Sequence, residues 1–262
     1  MNESMIIFAK KYKGIIKSLV PKSVLKSIRK KAILNRIQEI ANSPKENLGQ
    51  EKKGVNLIAS IKGDFGLGQS SRLVAGILKA SGIPYCIYNY EYADSNTDMT
   101  YADEIQDKIL YGINLIHINP LELEVACLEL PDNILKGHYN IGFWLWEQAE
   151  FPDYLCTTIP VLDEIWTPAE FISQGIRKIT DKPVRTLPYA ITVPCDEKMV
   201  RSYFDLPEDK FLFLMMYDSH SILERKNPEA VMQAFKKAFS GNDDKVGLVI
   251  KVNSAQDKDL DI

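Results

Sequence analysis

Metal-binding side chains are scarce in this sequence. Its 262 residues include only four cysteines and three histidines. No two cysteines form a CxxC pair, and His117, His138 and His220 show none of the spacings typical of zinc ligands. We therefore expect no metal site, and we expect the cysteines to be buried free thiols in a reducing cytosol. They are Cys86, Cys127, Cys156 and Cys195.

Long apolar runs are also missing. No run approaches the ~18 residues that a membrane-spanning helix needs. The apolar stretch from Met5 to Ala9 is too short for the core of a secretion signal, and lysines follow it directly. The sequence therefore predicts a protein that stays in the cytoplasm.

Positive charge is concentrated near the N-terminus. Residues 1–53 hold 13 Lys and Arg against 4 Asp and Glu, which leaves 19 basic and 31 acidic residues for the rest. Apolar residues at helical spacing over 5–41 predict one or two basic amphipathic helices, broken at Pro21. Such helices either lie on the inner face of the plasma membrane, or pack on the protein's own body, or act as a linker. We expect no nucleic-acid partner, because the rest of the chain is acidic.

The remainder of the chain alternates between predicted strands and helices. This alternation predicts an α/β fold with a parallel sheet and helices on both faces. The first group of strands is predicted at 55–61, 85–90, 113–118, 139–146, 164–167 and 184–187, with helices at 70–80, 120–130 and 168–179. A second group follows a proline-rich stretch, with strands at 211–217 and 246–252 and a helix at 227–239.

A glycine-rich loop joins the first predicted strand to the first helix. Gly66 and Gly68 lie just before Gln69 and Ser70, where helix N–H groups are free to bind an anion or a sugar. With Ser71 and the downstream Glu91, the loop also comes close to a dinucleotide fingerprint, so an NAD-dependent oxidoreductase is an alternative. A structural turn that only caps the helix is a third interpretation.

Two further candidates follow predicted strands. Glu147 comes after an aromatic segment that contains Trp144 and Trp146, and rings beside a carboxylate suit a sugar. Taken singly, each tryptophan is more typical of a core. His117 ends a strand and can bond a hydroxyl or act as a base, although a histidine without a visible partner is as often structural.

The second group has a basic segment between its first strand and its helix. Arg225 and Lys226 come directly before the predicted helix start at Asn227, where cations oppose the helix dipole. A bound pyrophosphate would explain them, and a solvated basic pair is the alternative. Ser219, which follows the strand, belongs to the same candidate site.

These motifs, taken in order, resemble the family 4 (group 1) glycosyltransferases of bacterial surface-polysaccharide assembly. The resemblance implies two Rossmann-like domains facing a cleft (GT-B-like), one for the acceptor and one for the nucleotide sugar. It implies retaining transfer of a sugar to a glycan or lipid-linked acceptor, usually without a bound metal and with the nucleotide-diphosphate sugar as co-substrate. The matching segments are Gly63–Ser71, Gly142–Pro152, Asp163–Pro168 and Arg225–Pro228.

The resemblance also assigns roles to residues and boundaries to domains. Lys226 matches the lysine on the donor pyrophosphate, while His117 and Glu147 are expected to serve catalysis and acceptor positioning. Ser221 stands where the family often has arginine, and the family's paired glutamates would lie beyond Ile262. We therefore expect a basic arm with its linker over 1–53, an acceptor domain over 54–192 and a truncated donor domain over 193–262. A non-catalytic binding module is the second alternative.

Overall fold

The chain divides into two compact units, Met1–Ile191 and Thr192–Ile262. The computed structural model describes residues 21–45, 52–91, 97–193, 195–219, 223–239 and 244–253. The predicted helical segment at 5–20, His220, Ser221 and the last nine residues lie outside the described part.

Unit 1 is built on a six-stranded, fully parallel sheet. Its strands lie side by side in the order β2-β1-β3-β4-β5-β6. Parallel sheets are buried on both faces, and β1 accordingly reads as a nearly continuous apolar run. The strands are β1 Val55–Ala59, β2 Tyr85–Asn89, β3 Ile113–His117, β4 Tyr139–Phe143, β5 Glu164–Thr167 and β6 Val184–Thr186.

Helices cover both faces of this sheet. Helix α2 packs Val74, Ala75 and Leu78 onto one face, where they join Leu57 and Leu115. The opposite face carries the larger apolar cluster, to which the remaining helices of the unit contribute. These helices are α1 Lys22–Ala41, α2 Gly66–Ser81, α3 Pro120–Glu129, α4 Asp132–Leu135 and α5 Glu170–Arg177, with 3₁₀ segments at Ala102–Glu104 and Asp153–Val161.

The predicted α/β fold with a parallel sheet is therefore confirmed, while several element ends differ. Strand β4 ends at Phe143 rather than at Trp146, because the N–H of Leu145 leaves the ladder and donates to Asn119 Oδ1 at 3.0 Å. Helix α2 begins at Gly66 rather than at Ser70, since the N–H of Gln69 already bonds the carbonyl of Phe65. Cys195 is exposed and Cys156 half-buried, so only two of the four thiols are buried.

Helix α1 is partly built into the core of unit 1. Ile33, Ile37 and Ile40 are buried in the larger cluster, and Arg36 bonds the carbonyl of Cys127 at 3.1 Å. The second half of the predicted basic arm thus packs on the protein's own body. Among the described residues, no helix is long and apolar enough to cross a membrane.

Three buried asparagines tie neighbouring strands together. Asn56, Asn114 and Asn140 are in register on β1, β3 and β4 and are fully buried. The amide of Asn56 donates to Asn114 Oδ1 and that of Asn114 to Asn140 Oδ1, both at 2.8 Å. Because buried amides are costly unless paired, this ladder favours a single register of the sheet.

Unit 2 is a single β-α-β arrangement. Strands β7 Phe211–Asp218 and β8 Val246–Asn253 form a parallel pair, and the short helix α6 Leu223–Lys226 and helix α7 Pro228–Ala238 connect them. Phe235 and Phe239 contact the ring of Phe213, with centroids 5.8 and 5.4 Å apart. A further 3₁₀ segment lies at Arg201–Phe204.

Candidate functional site

The strand order of unit 1 creates a switch point between β1 and β3. The chain runs from β1 to β2 on one side and then crosses to β3 on the other. In open α/β sheets, ligands bind beyond the carboxyl ends of the strands at such a point. The glycine turn after β1 and His117 at the end of β3 both lie at this edge, because Ala59 is paired with His117 in the register.

The glycine turn spans the six residues between β1 and α2. Its shape depends on Gly68, because a Cβ on that residue would lie 2.0 Å from the carbonyl oxygen of Gly63. Arg72 fastens the turn by donating to the carbonyls of Ile61 and Gly63, each at 2.9 Å. The Arg72 guanidinium also pairs with Asp98 at 3.2 Å, which places a second loop against the turn.

The first turn of α2 is open to a ligand. Gly66 and Gln69 are exposed, and no acidic residue lies in this turn. The first N–H groups of any helix lack intrahelical partners and favour an anion. The side chain of Gln69 is not free, because its amide oxygen accepts from Arg72 at 3.2 and 3.1 Å. The exposed backbone is therefore the better ligand contact.

Ser70 and His117 meet in the interior of this edge. Ser70 Oγ lies 2.7 Å from His117 Nε2, and both side chains are buried. The hydroxyl of Tyr189 bonds Ser70 Oγ and lies 3.4 Å from the same imidazole nitrogen. Two of the predicted site residues are thus brought together, and a third, Tyr189, joins them.

Burial sets the protonation of His117. Desolvation lowers the pKa of His117 to about 4, and the side chain is fully buried. Its ring stacks on Phe143 at a centroid distance of 5.1 Å, and among the described residues Nδ1 has no hydrogen-bond partner. The imidazole is therefore neutral near pH 7 and is suited to binding a hydroxyl rather than to pairing with an anion.

Tyr189 had no signal in the sequence. It follows β6 and is separated from Ser70 by 119 positions, so no local pattern connects the two residues. Its ring stacks on Phe143 at 5.6 Å, while Leu187, Pro188 and Ala190 around it are exposed. Burial raises the pKa of Tyr189, and the bond to Ser70 offsets part of that rise, so the phenol stays protonated.

Glu147 does not join this cluster. The side chain is exposed and forms no hydrogen bond or ion pair with any residue that the structure describes. Trp144 is fully buried and stacks on Phe151 at 5.7 Å, whereas Trp146 is half-buried and donates to the carbonyl of Glu150. Trp144 is therefore a core residue, and the aromatic surface beside Glu147 is limited to Trp146.

The second set of predicted residues belongs to unit 2. Ser219 follows β7 and donates its N–H to the carbonyl of Asn253 at 3.1 Å. Asn227 adopts a left-handed conformation, with φ 49°, and caps α7 through Ala230 N at 3.4 Å. Neither Arg225, which is exposed, nor the half-exposed Lys226 forms an ion pair within the described part of the chain.

The position of the two cations differs from the sequence-based expectation. Arg225 and Lys226 occupy the last turn of α6 and not the first turn of α7. Cations at the C-terminus of α6 are stabilised by the dipole of that one-turn helix, while the N-terminus of the longer α7, whose cap is Asn227, still opposes them. Because neither cation has an acidic partner among the described residues, both charges are available to an anionic ligand.

No group of His, Cys, Asp and Glu suited to a metal ion is found among the described residues. No protein-family model matches the chain, and a search of curated proteins finds no match.

Proposed function

We propose that the chain is a glycosyltransferase that moves a sugar from a nucleotide-diphosphate sugar to a glycan or lipid-linked acceptor in surface-polysaccharide assembly. The observation that carries the proposal is the joining of the glycine turn, Ser70 and the neutral His117 at the switch point of a parallel sheet. This edge offers backbone N–H groups for an anion and, beside them, uncharged groups for hydroxyls. A sugar substrate needs both kinds of contact.

Each candidate residue has a separate role in the proposed reaction. Gly66 and Gly68 allow a substrate to approach the backbone, and Gln69 and Ser70 line the same helix start. His117 binds a substrate hydroxyl through Nε2, which requires its partner Ser70 Oγ, at 2.7 Å, and the Tyr189 hydroxyl to give way. Glu147, which is exposed and unpaired among the described residues, accepts hydrogen bonds from an acceptor sugar.

Unit 2 supplies positive charge in this proposal. Breaking the bond between sugar and nucleotide leaves negative charge on the diphosphate, and Arg225 and Lys226 neutralise it. Ser219 and Asn227 flank the same segment and contribute hydroxyl and amide groups. We propose further that unit 2 belongs to a donor-binding domain of the GT-B type, that transfer retains the configuration of the sugar, and that the enzyme works peripherally on the inner face of the plasma membrane.

A thermal-shift screen tests the proposal at the level of binding. The protein is heated with a panel of nucleotide-diphosphate sugars, free nucleotides, NAD(H) and NADP(H). We expect one nucleotide sugar to raise the melting temperature, with the rise growing as ligand concentration exceeds Kd. Lys226→Ala should reduce the rise, whereas Lys237→Ala, which removes an equal charge from an exposed position of α7, should preserve it.

The same panel contains the outcomes that count against the proposal. A shift with NAD(H) or NADP(H) alone would favour the oxidoreductase alternative. No shift with any compound would favour a non-catalytic module. The six-residue connection between β1 and α2 is wider than the tight turn of a dinucleotide site, so we do not expect the first of these results.

A further inference from the structure

Only the second half of helix α1 has residues buried in the core. Ile33, Ile37 and Ile40 form the stripe that packs into the core of unit 1. Residues 3, 4, 7 and 11 positions before Ile33 lie on or next to the same stripe of a helix. These positions hold cations, which cannot enter an apolar core. They are Lys30, Arg29, Lys26 and Lys22.

The first half of α1 is accordingly free of the core. Every residue over 22–31 except the half-buried Leu25 is exposed. Val24 and Ile28 lie one turn apart on one face, and their exposed fractions are 45% and 57%. An apolar pair this exposed leaves about half of its surface in water.

All charged side chains in the first half of α1, residues 22–31, are positive. This half carries five cations, and the sequence has no acidic residue from position 4 to position 38. Within the described part of the chain, none of the five forms an ion pair. They are Lys22, Lys26, Arg29, Lys30 and Lys31.

We infer that the first half of α1, residues 22–31, is a docking surface for an anionic lipid membrane. At 100° per residue, Arg29 and Lys31 lie on opposite sides of the face that carries Val24 and Ile28. An interfacial helix has this pattern, because its apolar side chains enter the acyl boundary while flanking cations meet the headgroups. The surface does not depend on the transferase reaction.

A membrane fits this surface better than a nucleic acid does. A phosphate backbone would use the cations but would leave Val24 and Ile28 in water. The body beyond residue 53 has 31 acidic against 19 basic residues and would repel a long polyanion. A planar headgroup layer, in contrast, needs to touch only one side of the helix.

Because the second half of α1 packs into unit 1, docking of the first half would also orient unit 1 on the membrane. Ile33, Ile37 and Ile40 fix the second half of α1 against α3 and the Asp153–Val161 segment. Because one continuous helix joins the two halves, binding of residues 22–31 to a membrane orients unit 1 as a whole. The inferred surface is therefore a positioning device as well as an anchor.

Vesicle flotation with the full chain tests the inference. The vesicles contain phosphatidylcholine with or without about one third phosphatidylglycerol as the anionic lipid. We expect binding only to the anionic vesicles and a steep loss of binding as salt rises. The double variant Arg29→Gln and Lys31→Gln should weaken binding by about 30-fold, and Ile28→Ser by about tenfold.

Matched variants elsewhere on unit 1 serve as controls. Lys108→Gln with Lys178→Gln removes the same charge from exposed positions outside α1, and Ile83→Ser removes an isoleucine that is 47% exposed. Both controls should bind as the unmodified chain does. All substituted residues are exposed, so circular dichroism should show an unchanged fold in every variant.

Three results would overturn the inference. The first is equal loss in the control variants, which would indicate a general charge effect. The second is undiminished binding of the α1 variants, which would move the contact to another part of the chain. The third is binding to a short DNA duplex in place of vesicles.

Discussion

The neutral state of His117 follows from its surroundings, and its consequences can be measured. The ring is fully buried between Phe143 and Ser70, and desolvation lowers its pKa to about 4, against an ordinary value of 6.5. The unfolded chain therefore binds a proton at this residue between pH 6.5 and 4, whereas the folded chain does not. Stability contributed by His117 is present above pH 6.5 and falls as pH decreases through this window.

We expect His117→Gln to remove this pH dependence. Between pH 7 and pH 5 the unmodified protein should lose about 2 kcal/mol more unfolding free energy than the variant does. Urea unfolding at the two pH values measures the difference. Equal losses would show that the imidazole is protonated in the folded protein as readily as in water. His138, whose pKa burial also lowers, is common to both proteins and cancels in the comparison.

Residues differ in how far their contacts can be predicted from the sequence. Asn56, Asn114 and Asn140 each occupy the second position of a strand. Aligning the predicted parallel strands by their first residues therefore places the three asparagines side by side. The approach of Tyr189 to Ser70 had no such signal, because it depends on the path of the chain after β6. The unpaired state of Glu147 likewise depends on which side chains the fold brings near it.

At the scale of elements, the turn before α2 determines whether the site can form. The backbones of Gly63 and Gly68 lie in close contact. Arg72, one helical turn further along α2, donates a hydrogen bond to the Gly63 carbonyl. The strand positions were predictable, since short apolar runs bounded by turn residues have few other interpretations. The helix start at Gly66 was not, because glycine usually favours loops and only the Gln69–Phe65 bond brings it into the helix.

Alanine substitutions at Gly66 and Gly68 should have different effects on stability, because only Gly68 is closely packed against the turn. Gly68→Ala should destabilise the protein by about 1–3 kcal/mol, because the added Cβ would collide with the Gly63 carbonyl and force the turn to move. Gly66→Ala should leave stability equal or slightly higher, since no atom lies within 4 Å of its added Cβ. Urea unfolding measures both variants. Equal destabilisation by the two would contradict the packing of the turn.

The chain combines a large first unit with a small second one. Unit 1 has both sheet faces covered by helices, whereas in unit 2 Leu214 and Met216 on β7 remain 63% and 60% exposed. The α/β class was predictable from the alternation of strands and helices. The division of α1 into a packed half and an exposed half was not, because both halves have apolar residues at helical spacing and differ only in the face that carries them.

The most direct test of the proposed function is a transfer assay with the full chain. Labelled nucleotide sugars are incubated with the protein and a bacterial membrane lipid extract as the acceptor source. The proposed function predicts that one sugar enters the lipid or glycan fraction and that Gly68→Ala abolishes this transfer. Absence of transfer from every nucleotide sugar, or transfer that Gly68→Ala leaves unchanged, would contradict it.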